Sequence, residues 1–356
     1  MVKEPVVKET LIKCVVWDID NTLLDGVYLE SPAQRPPADP DLAAVLRELS
    51  GRGILHALAS RNPPEAAGYV QAATGAQFAA ARCGWDSKAA SVRAIAAELD
   101  VATDALAFVD DDMIERAEVA AALPEVLVLT PEDALQAPQW PDFSPPVLTA
   151  EGRRRAEMYA ARQRRLAEAA AFGGSREEFL RHAGTRITIR QASAADLPRL
   201  HELSVRTRQL NSGDVALSQD DLAALVSSPA YLVATVALRD HYGDDGIVGC
   251  AVLAGSGQGN WPVPVLMMSC RALGRGVLDA LLGWLCRAAA AAGATGLTVP
   301  CLVTDRNVPM RLALAAAGLR AAPGSATAGG RAEFSRSLDG TLPPVPEWLT
   351  GWDGAR

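Results

Sequence analysis

The sequence lacks the features that mark membrane-spanning, zinc-binding and disulfide-stapled proteins. No apolar run in its 356 residues approaches the roughly 20 residues that a membrane helix needs. The six cysteines form no CxxC pair, which argues against both a zinc site and a disulfide framework. Residues 1–13 contain no apolar signal segment, so we expect a cytoplasmic protein that does not contact a membrane.

The sequence also has fewer basic residues than acidic ones. Lysine and arginine number 34 against 42 aspartates and glutamates, and the resulting net charge of −8 argues against general nucleic-acid binding. Hydrophobic residues make up 49% of the chain and charged residues 21%, which is typical of a soluble globular protein. At this length we expect two domains rather than one.

Breaks in the periodic pattern divide the chain into four segments. Residues 1–145 alternate strands with helices, which predicts an α/β domain built on a doubly wound parallel sheet. Prolines and polar residues then interrupt the pattern, and 146–185 are predicted to form a linker with a connecting helix. Residues 186–337 are predicted to form an α+β domain, and 338–356 a C-terminal tail.

The connecting helix is locally basic. Its arginines are Arg153, Arg154, Arg155, Arg162, Arg164 and Arg165. Two interpretations stay open at this point, a solvated connecting helix and a docking surface for an acidic partner.

The stretch VVWDIDNTLLDG, residues 15–26, carries the clearest chemical signal. An apolar run that favours a strand ends in Asp18 and Asp20, which predicts a buried parallel strand with both acids at its C-terminal tip. Side chains two apart on a strand point the same way, so both carboxylates would face one metal and one phosphate.

Three further strand–helix junctions carry matching chemistry. A strand predicted over 53–60 ends in Ser60, Arg61 and Asn62, where a hydroxyl before a helix can hold a phosphate oxygen. Lys88 begins another helix and supplies a cation. The strand predicted over 105–112 ends in the consecutive acids Asp110, Asp111 and Asp112. A hard divalent cation would relieve their mutual repulsion, and Mg²⁺ is the expected ion.

Each of these features alone has an ordinary structural explanation. A DxD at a strand end is often a helix cap or a pair of surface acids, Ser60 could be a helix cap, and Lys88 a surface charge. The four together, in this order and each at a strand–helix junction, favour one phosphate-handling site.

The second half contains a phosphate-cradle motif. A strand predicted over 263–270 is followed by Arg271, Gly274, Arg275 and Gly276, and then by a long apolar helix. Backbone N–H groups in such a loop and the helix N-terminus can hold a pyrophosphate. In this context the RxxGxG loop resembles that of the GCN5-related N-acetyltransferase (GNAT) fold, which holds the pantetheine pyrophosphate of coenzyme A.

Cys270 is the candidate acyl-carrying thiol. It ends the predicted strand beside Arg271 and before a helix N-terminus, and both neighbours lower a thiol pKa. The alternative is a small core residue. Polar residues of two other segments could contact a phosphorylated three-carbon acid, or could serve as turn and cap residues. They are Arg206, Asn211, Asp305 and Asn307.

The segment DIDNT resembles the first motif of the haloacid dehalogenase (HAD) phosphotransferases, and the motifs in combination resemble the FkbH-like family of polyketide biosynthesis. The stretches that carry the second resemblance are KCVVWDIDNTL, GILHALASRN, GWDSKAASVRAIAAEL, AFVDDDMIERAEVA, SVRTRQLN, LMMSCRALGRGV and VTDRNVPM. The implied fold is a HAD-like Rossmannoid parallel-sheet domain without a large cap, followed by a GNAT-like α+β domain.

The resemblance implies a bifunctional enzyme. It would take a glyceryl unit from 1,3-bisphosphoglycerate, remove phosphate, and load the unit as a thioester on the phosphopantetheine arm of an acyl carrier protein. Asp18 would be the nucleophile and Asp20 the general acid/base; the resemblance does not say which cysteine carries the acyl group. Mg²⁺ would be held by Asp18, Asp20, Asp110 and Asp111. Phosphate would be held by Ser60, Arg61, Asn62 and Lys88.

Two other functions remain open. One is a Mg²⁺-dependent phosphatase whose GNAT-like half only binds substrate, and the other is a carrier-binding scaffold with residual hydrolysis. Leu314 stands where many GNAT acetyltransferases place a tyrosine that protonates the leaving thiolate, so a plain acetyl-CoA transferase is not expected.

Overall fold

The structure is a computed structural model of the chain. It describes residues 11–30, 34–207, 209–213, 215–255, 257–304, 307–321 and 330–346. The chain forms two compact units that divide between Ala160 and Ala161.

A five-stranded parallel sheet forms the first unit, with strand order β3-β2-β1-β4-β5. Its strands are β1 (Cys14–Trp17), β2 (Leu55–Ser60), β3 (Ala80–Cys83), β4 (Leu106–Val109) and β5 (Leu127–Leu129). Its helices are α1 (Pro40–Gly51), α2 (Glu65–Thr74), α3 (Lys88–Leu99), α4 (Met113–Ala122), α5 (Pro131–Gln136) and α6 (Ala150–Arg153). The helix α7 (Arg155–Ala171) follows and contains the division between the units.

The central strand explains where the acids lie. All four residues of β1 are buried, because a strand flanked on both sides and covered on both faces must be apolar throughout. Trp17 pairs with Leu58 of β2 and with Val109 of β4. The parallel neighbours therefore end at one edge of the sheet, and Asp18 and Asp110 follow adjacent strand ends.

Side-chain caps determine where two of the helices at this edge begin. Ser87 caps α3 by accepting from the backbone N–H of Ala90, so the helix begins at Lys88. Asp112 caps α4 by accepting from the N–H of Ile114, directly after the acidic tip of β4. Serine and aspartate are preferred at this position because their oxygens satisfy the first free N–H groups of a helix.

The described part of the connection from β1 to α1 contains no folded cap. After the tight turn Ile19–Leu23, the described residues up to Asp39 hold one isolated bridge, Leu24 to Ala38, and no further helix or strand. The first unit is therefore an α/β domain of HAD-like topology without a large cap, as predicted.

The second unit is α+β and holds two four-stranded sheets, ordered β10-β8-β7-β6 and β12-β13-β11-β9. Its strands are β6 (Arg186–Gln191), β7 (Tyr231–Asp240), β8 (Gly243–Ala254), β9 (Asn260–Pro262), β10 (Val265–Met268), β11 (Gly296–Leu302), β12 (Arg320–Ala321) and β13 (Arg331–Ser337). Its helices are α8 (Arg176–His182), α9 (Leu197–Arg206), α10 (Gln219–Ser227), α11 (Val277–Ala291) and α12 (Val308–Ala316).

The long helix α11 forms the centre of this unit. Its residues Leu281, Leu285 and Cys286 are fully buried in a core that also contains strand residues such as Val236 and Val299. This arrangement of a β-meander, a glycine-containing loop and a central helix is the predicted GNAT-like α+β fold, and the fold class is confirmed for both halves. Among the described residues, no helix is both long enough and apolar enough to cross a membrane.

The segment 146–185, predicted as a linker with a connecting helix, contains α6, α7 and α8. Arg155 and Arg165 of its basic stretch are buried. The Arg155 guanidinium donates to the Gly53 carbonyl at 3.2 Å, and Arg165 pairs with Asp240. These two arginines therefore hold α7 in place and are not part of a basic surface.

Candidate active site

Three carboxylates converge at the C-terminal edge of the parallel sheet. Asp18 follows β1, and Asp110 and Asp111 follow β4; one oxygen from each lies within 4.8 Å of the other two. Asp18 and Asp110 are buried, whereas Asp111 is exposed. Such a group stays together only if positive charge offsets the repulsion among its members.

Lys88 supplies part of that charge from the first position of α3. Its ammonium group donates to Oδ1 of Asp18, to Oδ2 of Asp110 at 2.8 Å and to the carbonyl of Ala59 at 2.9 Å. The residue is 4% exposed, so its three donors are used inside the site. Lys88 therefore bridges the strand tips that the sequence brings to one edge.

Burial and charge act in opposite directions on this pair. Burial raises the pKa of Asp18 to about 6, even though Lys88 draws that pKa down. Burial alone would lower the pKa of Lys88, but the carboxylates of Asp18 and Asp110 outweigh it and raise that pKa. The lysine is therefore held as a cation, and further positive charge beside Asp18 would favour the ionised carboxylate that a nucleophile requires.

Asp20 lies at the same edge, but its carboxylate has other partners. Oδ1 accepts from the backbone N–H of Tyr28 at 2.8 Å, and Oδ2 accepts from the side-chain amide of Asn62 at 2.9 Å. The carboxylate is not one of the three that converge. That it joins Asp18 as a side-chain metal ligand therefore stays a prediction. The strand β1 ends at Trp17, and the turn Ile19–Leu23 breaks the two-residue alternation that was expected to align the two carboxylates.

The Ser60–Asn62 segment lies beside Asp20. Asn62 is fully buried and also donates to Ser60 Oγ at 3.0 Å, so the three side chains form a chain of hydrogen bonds. Arg61 points elsewhere: its guanidinium pairs with Glu115 at 2.8 Å and remains half exposed. Ser60 and Asn62 thus orient the acid, while the predicted phosphate contact of Arg61 would compete with an existing ion pair.

Three site residues were missed from the sequence. The buried Thr22 hydroxyl accepts from the backbone N–H of Asp111 at 3.2 Å and ties the two acidic loops together. Arg116 donates to the Asp110 carbonyl at 2.7 Å, and Glu115 holds Arg61. Thr22 belongs to the DIDNT segment, so the sequence motif could have identified it as a site residue. The ion pair of Glu115 with Arg61 joins distant parts of the chain, and no sequence pattern predicts it.

The donor set suits a hard cation. The three converging carboxylates outweigh the single charge of Lys88, and all of the clustered ligands are oxygens. Hard divalent cations prefer oxygen ligands, whereas zinc and softer metals prefer nitrogen or sulfur. The residues present therefore fit a divalent ion held by Asp18, Asp110 and Asp111, with Lys88 beside it.

The predicted thiol lies in the second unit, in a short turn. Cys270 is partly buried and begins the turn Cys270–Ala272, while α11 starts only at Val277. The helix N-terminus is thus separated from the thiol by the RxxGxG loop. The guanidinium of Arg271 lies 3.8 Å from the carboxylate of Asp245, so its positive charge is partly offset by that carboxylate.

The arginines of the RxxGxG loop are structural in this conformation. Arg271 and Arg275 are buried, and Arg275 pairs with Asp240 at 2.6 Å and with Asp245. Arg165 joins the same cluster, bonding Asp240 at 2.5 and 3.0 Å. The prediction that Arg271 and Arg275 contact a pantetheine phosphate stays a prediction, and for Arg275 such a contact would compete with its ion pairs to Asp240 and Asp245.

A cavity of about 630 Å³ lies beside the glycines of this loop. Gly274 and Gly276 both have left-handed φ angles, of 73° and 70°. A Cβ on Gly274 would come within 1.9 Å of the guanidinium of Arg176, so that arginine of α8 lies directly over the loop. Arg181, Met268 and Asp279 also line the cavity. Its volume is in the range of small-ligand sites.

The other predicted substrate contacts hold local structure. Arg206 lies 3.4 Å from the Glu202 carboxylate. The amide of Asn211 donates to the Val215 carbonyl at 3.0 Å, and the side chain of Asn307 accepts from the Thr304 N–H at 3.2 Å. Turn and cap chemistry, the alternative interpretation, therefore describes Asn211 and Asn307. Asp305 lies outside the described residues.

Comparisons with known proteins gave structural likenesses only. No protein-family model matches the chain, and no curated protein matches it. One solved structure is the N-terminal part of protein BF1531 from Bacteroides fragilis, which contains a phosphatase domain and was complexed with Mg. It is 25% identical with a TM-score of 0.33, and the match covers 36% of this chain and 38% of that one. The chain thus spans well under half the length of that relative.

Two acetyltransferase structures match a similar share of this chain. A putative acetyltransferase from Salmonella typhimurium, solved with acetyl-CoA, is 17% identical with a TM-score of 0.33, covering 44% of this chain and 98% of that one. The GNAT domain of PAT from S. lividans is 16% identical with a TM-score of 0.34, covering 42% and 89%. Every TM-score here is below 0.5, and the function proposed below rests on the geometry of the site itself.

Proposed function

We propose that the chain is a Mg²⁺-dependent phosphatase and glyceryl transferase of the FkbH-like kind. It would take a glyceryl unit from 1,3-bisphosphoglycerate, remove phosphate, and load the unit as a thioester on an acyl carrier protein for polyketide biosynthesis. The observation that carries the phosphatase half is the convergence of Asp18, Asp110 and Asp111 around the Lys88 ammonium at the edge of the parallel sheet.

The residues at this edge divide the hydrolysis into two steps. An oxygen of Asp18 attacks phosphorus in line, and the bond to the leaving oxygen breaks as Asp20 gives that oxygen a proton. A water then attacks the phosphorus of the aspartyl phosphate and gives its proton to Asp20, which frees inorganic phosphate and restores Asp18. Asn62 and the Tyr28 N–H hold the Asp20 carboxylate for both transfers. Bound Mg²⁺ supplies charge stabilisation to the phosphoryl oxygens.

The acyl half of the proposal rests on Cys270 and the cavity beside Gly274. The Cys270 thiolate would attack the acyl carbon of 1,3-bisphosphoglycerate and expel its 1-phosphate, and the carrier thiol would then attack the resulting thioester and free Cys270. The cavity combines apolar walls, such as Met268, with the cation of Arg176, which suits the arm of a carrier protein. Arg176 would be a phosphate contact there.

Intact-protein mass spectrometry after incubation with 1,3-bisphosphoglycerate tests the whole proposal. A glyceryl-sized adduct that moves to an added acyl carrier protein supports it. Phosphate release without an adduct would instead favour a phosphatase with a non-catalytic second half. Neither event would favour a binding scaffold. A Cys270→Ala variant that still forms the adduct would exclude Cys270 as its site.

Removal of divalent cations should abolish phosphate release. After dialysis against a chelator we expect a loss on the order of 100-fold or more, since a metal at such a site contributes several kcal/mol of transition-state stabilisation. Added Mg²⁺ should restore the rate. A chelated enzyme that retains its full rate would contradict the assignment of the three-carboxylate cluster as a cation site.

Replacement of Arg176 by alanine should slow acyl transfer to the carrier roughly tenfold, because a charge-assisted contact contributes about 1.5–3 kcal/mol. Phosphate release from a free phosphomonoester such as 3-phosphoglycerate should change little, since Arg176 belongs to the second unit. Arg164 is exposed on α7 and provides the matched control, for which Arg164→Ala should leave both rates unchanged. Equal transfer by wild type and Arg176→Ala would remove this arginine from the arm site.

A further inference from the structure

One ion pair crosses the end of the central strand of the parallel sheet. Arg61 directly follows β2, and Glu115 lies in the first turn of α4, after β4. The strand order places β1 between β2 and β4, so this pair, with 2.8 Å between Arg61 Nη2 and Glu115 Oε1, joins the two segments that flank the tip of β1. Asp18, the candidate nucleophile, follows that tip. The Arg61–Glu115 pair therefore belongs to the catalytic edge.

Electrostatic effects also place Glu115 at this site. Burial raises the pKa of the Glu115 carboxyl, although the charge of Arg61 acts to lower it. The charges of Lys88 and Asp110 act on the pKa of the same carboxyl, which places Glu115 within electrostatic range of both. Glu115 is thus a fourth carboxylate beside the three that converge.

The contacts of Glu115 are poor for an acid with a purely structural role. The residue is 9% exposed, and its Oε2 atom is buried and accepts no hydrogen bond from the described residues. Its ion-pair partner, the Arg61 side chain, is half exposed to solvent. A fourth carboxylate also adds to the repulsion in the cluster and would repel a phosphate dianion. The stability of the fold does not explain this pair, because an apolar residue could replace a buried acid at no greater cost.

The other cations of the site are committed to the protein itself. The N–H donors of Lys88 go to Asp18, to Asp110 and to the carbonyl of Ala59. Arg116 donates to the carbonyl of Asp110. A divalent ion and Lys88 together only balance the charge of the three converging carboxylates. An incoming phosphoryl dianion therefore needs a further cation with donors to give.

Arg61 meets that requirement. A guanidinium carries more N–H donors than one carboxylate can use, and among the described residues Glu115 is the recorded partner of this one. Its planar fork allows two parallel hydrogen bonds to a phosphoryl group, and charge strengthens both. A phosphoryl dianion carries more charge than the carboxylate of Glu115 and can compete with it for the guanidinium.

Resting on the proposed phosphatase function, we infer that Arg61 exchanges partners during the reaction: Glu115 holds it across the tip of β1 in the free enzyme, and the phosphoryl group of the substrate takes it from Glu115. Arg61 then contacts the phosphoryl oxygens directly, and Glu115 acts as a competing carboxylate that limits anion binding. No covalent bond changes in this exchange. The return of Arg61 to Glu115 favours the release of inorganic phosphate.

Isothermal titration calorimetry of the full-length protein with inorganic phosphate and Mg²⁺ tests the exchange. Arg61→Lys keeps the charge but loses the fork of donors, so we expect the Kd of phosphate to rise at least about fivefold. Glu115→Gln removes the competing charge and can still accept a hydrogen bond, so we expect the Kd to fall roughly threefold. The matched control is Glu98→Gln, which removes the pair of Glu98 with Arg82, at 2.6 Å in the same unit, and should leave the Kd unchanged.

The results separate this inference from the function on which it rests. An unchanged Kd in Arg61→Lys would show that Arg61 does not contact the phosphoryl group, and would overturn the exchange. A higher Kd in Glu115→Gln would overturn it as well, because Glu115 would then support anion binding instead of competing with it. Either result leaves the phosphatase standing as long as wild type binds phosphate and releases it from 3-phosphoglycerate. Wild type that does neither would overturn the proposed function and the inference together.

Discussion

Asp18→Asn should reduce phosphate release by on the order of 10⁴-fold or more, because removal of a nucleophile eliminates the covalent route. An amide cannot attack phosphorus, and the substitution also removes one of the three converging carboxylates. The fold should persist, since asparagine can still accept from Lys88 at the tip of β1. Inorganic phosphate released from a phosphomonoester such as 3-phosphoglycerate is the measurement, because the 1-phosphate of 1,3-bisphosphoglycerate would leave on attack by Cys270 and not by Asp18.

The control for this variant is Asp25→Asn. Asp25 is an exposed acid on the same connection between β1 and α1, and its loss should leave the rate near wild type. Circular dichroism of both variants establishes that each is folded. Retention of full, metal-dependent phosphate release in Asp18→Asn would contradict the assignment of Asp18 as nucleophile.

Arg275→Ala should destabilise the second unit by about 3–5 kcal/mol, because it leaves buried carboxylates without their partner. Asp240 and Asp245 are both buried, and Arg275 joins them to the RxxGxG loop. Burial alone would raise the pKa of Asp240, but hydrogen bonds from Arg165 and the charge of Arg275 hold that pKa below its usual range. Loss of Arg275 removes part of the positive charge that stabilises the ionised carboxylate of Asp240.

Urea unfolding of the full-length protein measures this effect. Arg239 lies on the same strand as Asp240 but is exposed, so Arg239→Ala should change stability by no more than about 0.5 kcal/mol. Phosphate release at low urea reports separately on the first unit and should be unaffected. If Arg275→Ala unfolded like wild type but failed to transfer acyl groups, the loop arginine would be a ligand contact after all.

The location of the candidate active site was predictable because parallel strands end at one edge. Apolar runs that stop at Asp18, Ser60 and Asp110 identify the edge from the sequence, and the register that pairs Trp17 with Val109 brings the tips together. Lys88 was predictable as a cation at a helix start. That it bridges Asp18 and Asp110 depends on the packing of α3, which the sequence pattern does not encode.

The orientation of Asp20 and the roles of the loop arginines were not predictable by the same rules. Asp20 follows the strand end, and the left-handed φ of 51° at Asn21 turns the chain away from extended geometry. Arg271 and Arg275 matched a phosphate-loop pattern, but their partners lie on the β7–β8 hairpin. Ion pairs between distant segments produce no periodic pattern in the sequence. A motif can therefore identify the loop without identifying what its side chains contact.

A chemical trap of the covalent intermediate tests the central claim most directly. Full-length protein turning over 1,3-bisphosphoglycerate with Mg²⁺ is quenched, treated with borohydride to reduce any aspartyl phosphate to homoserine, and mapped by peptide mass spectrometry. The account predicts homoserine at position 18 alone, and none after treatment of Asp18→Asn. Homoserine at another aspartate, or undiminished phosphate release with no modified residue, would contradict it.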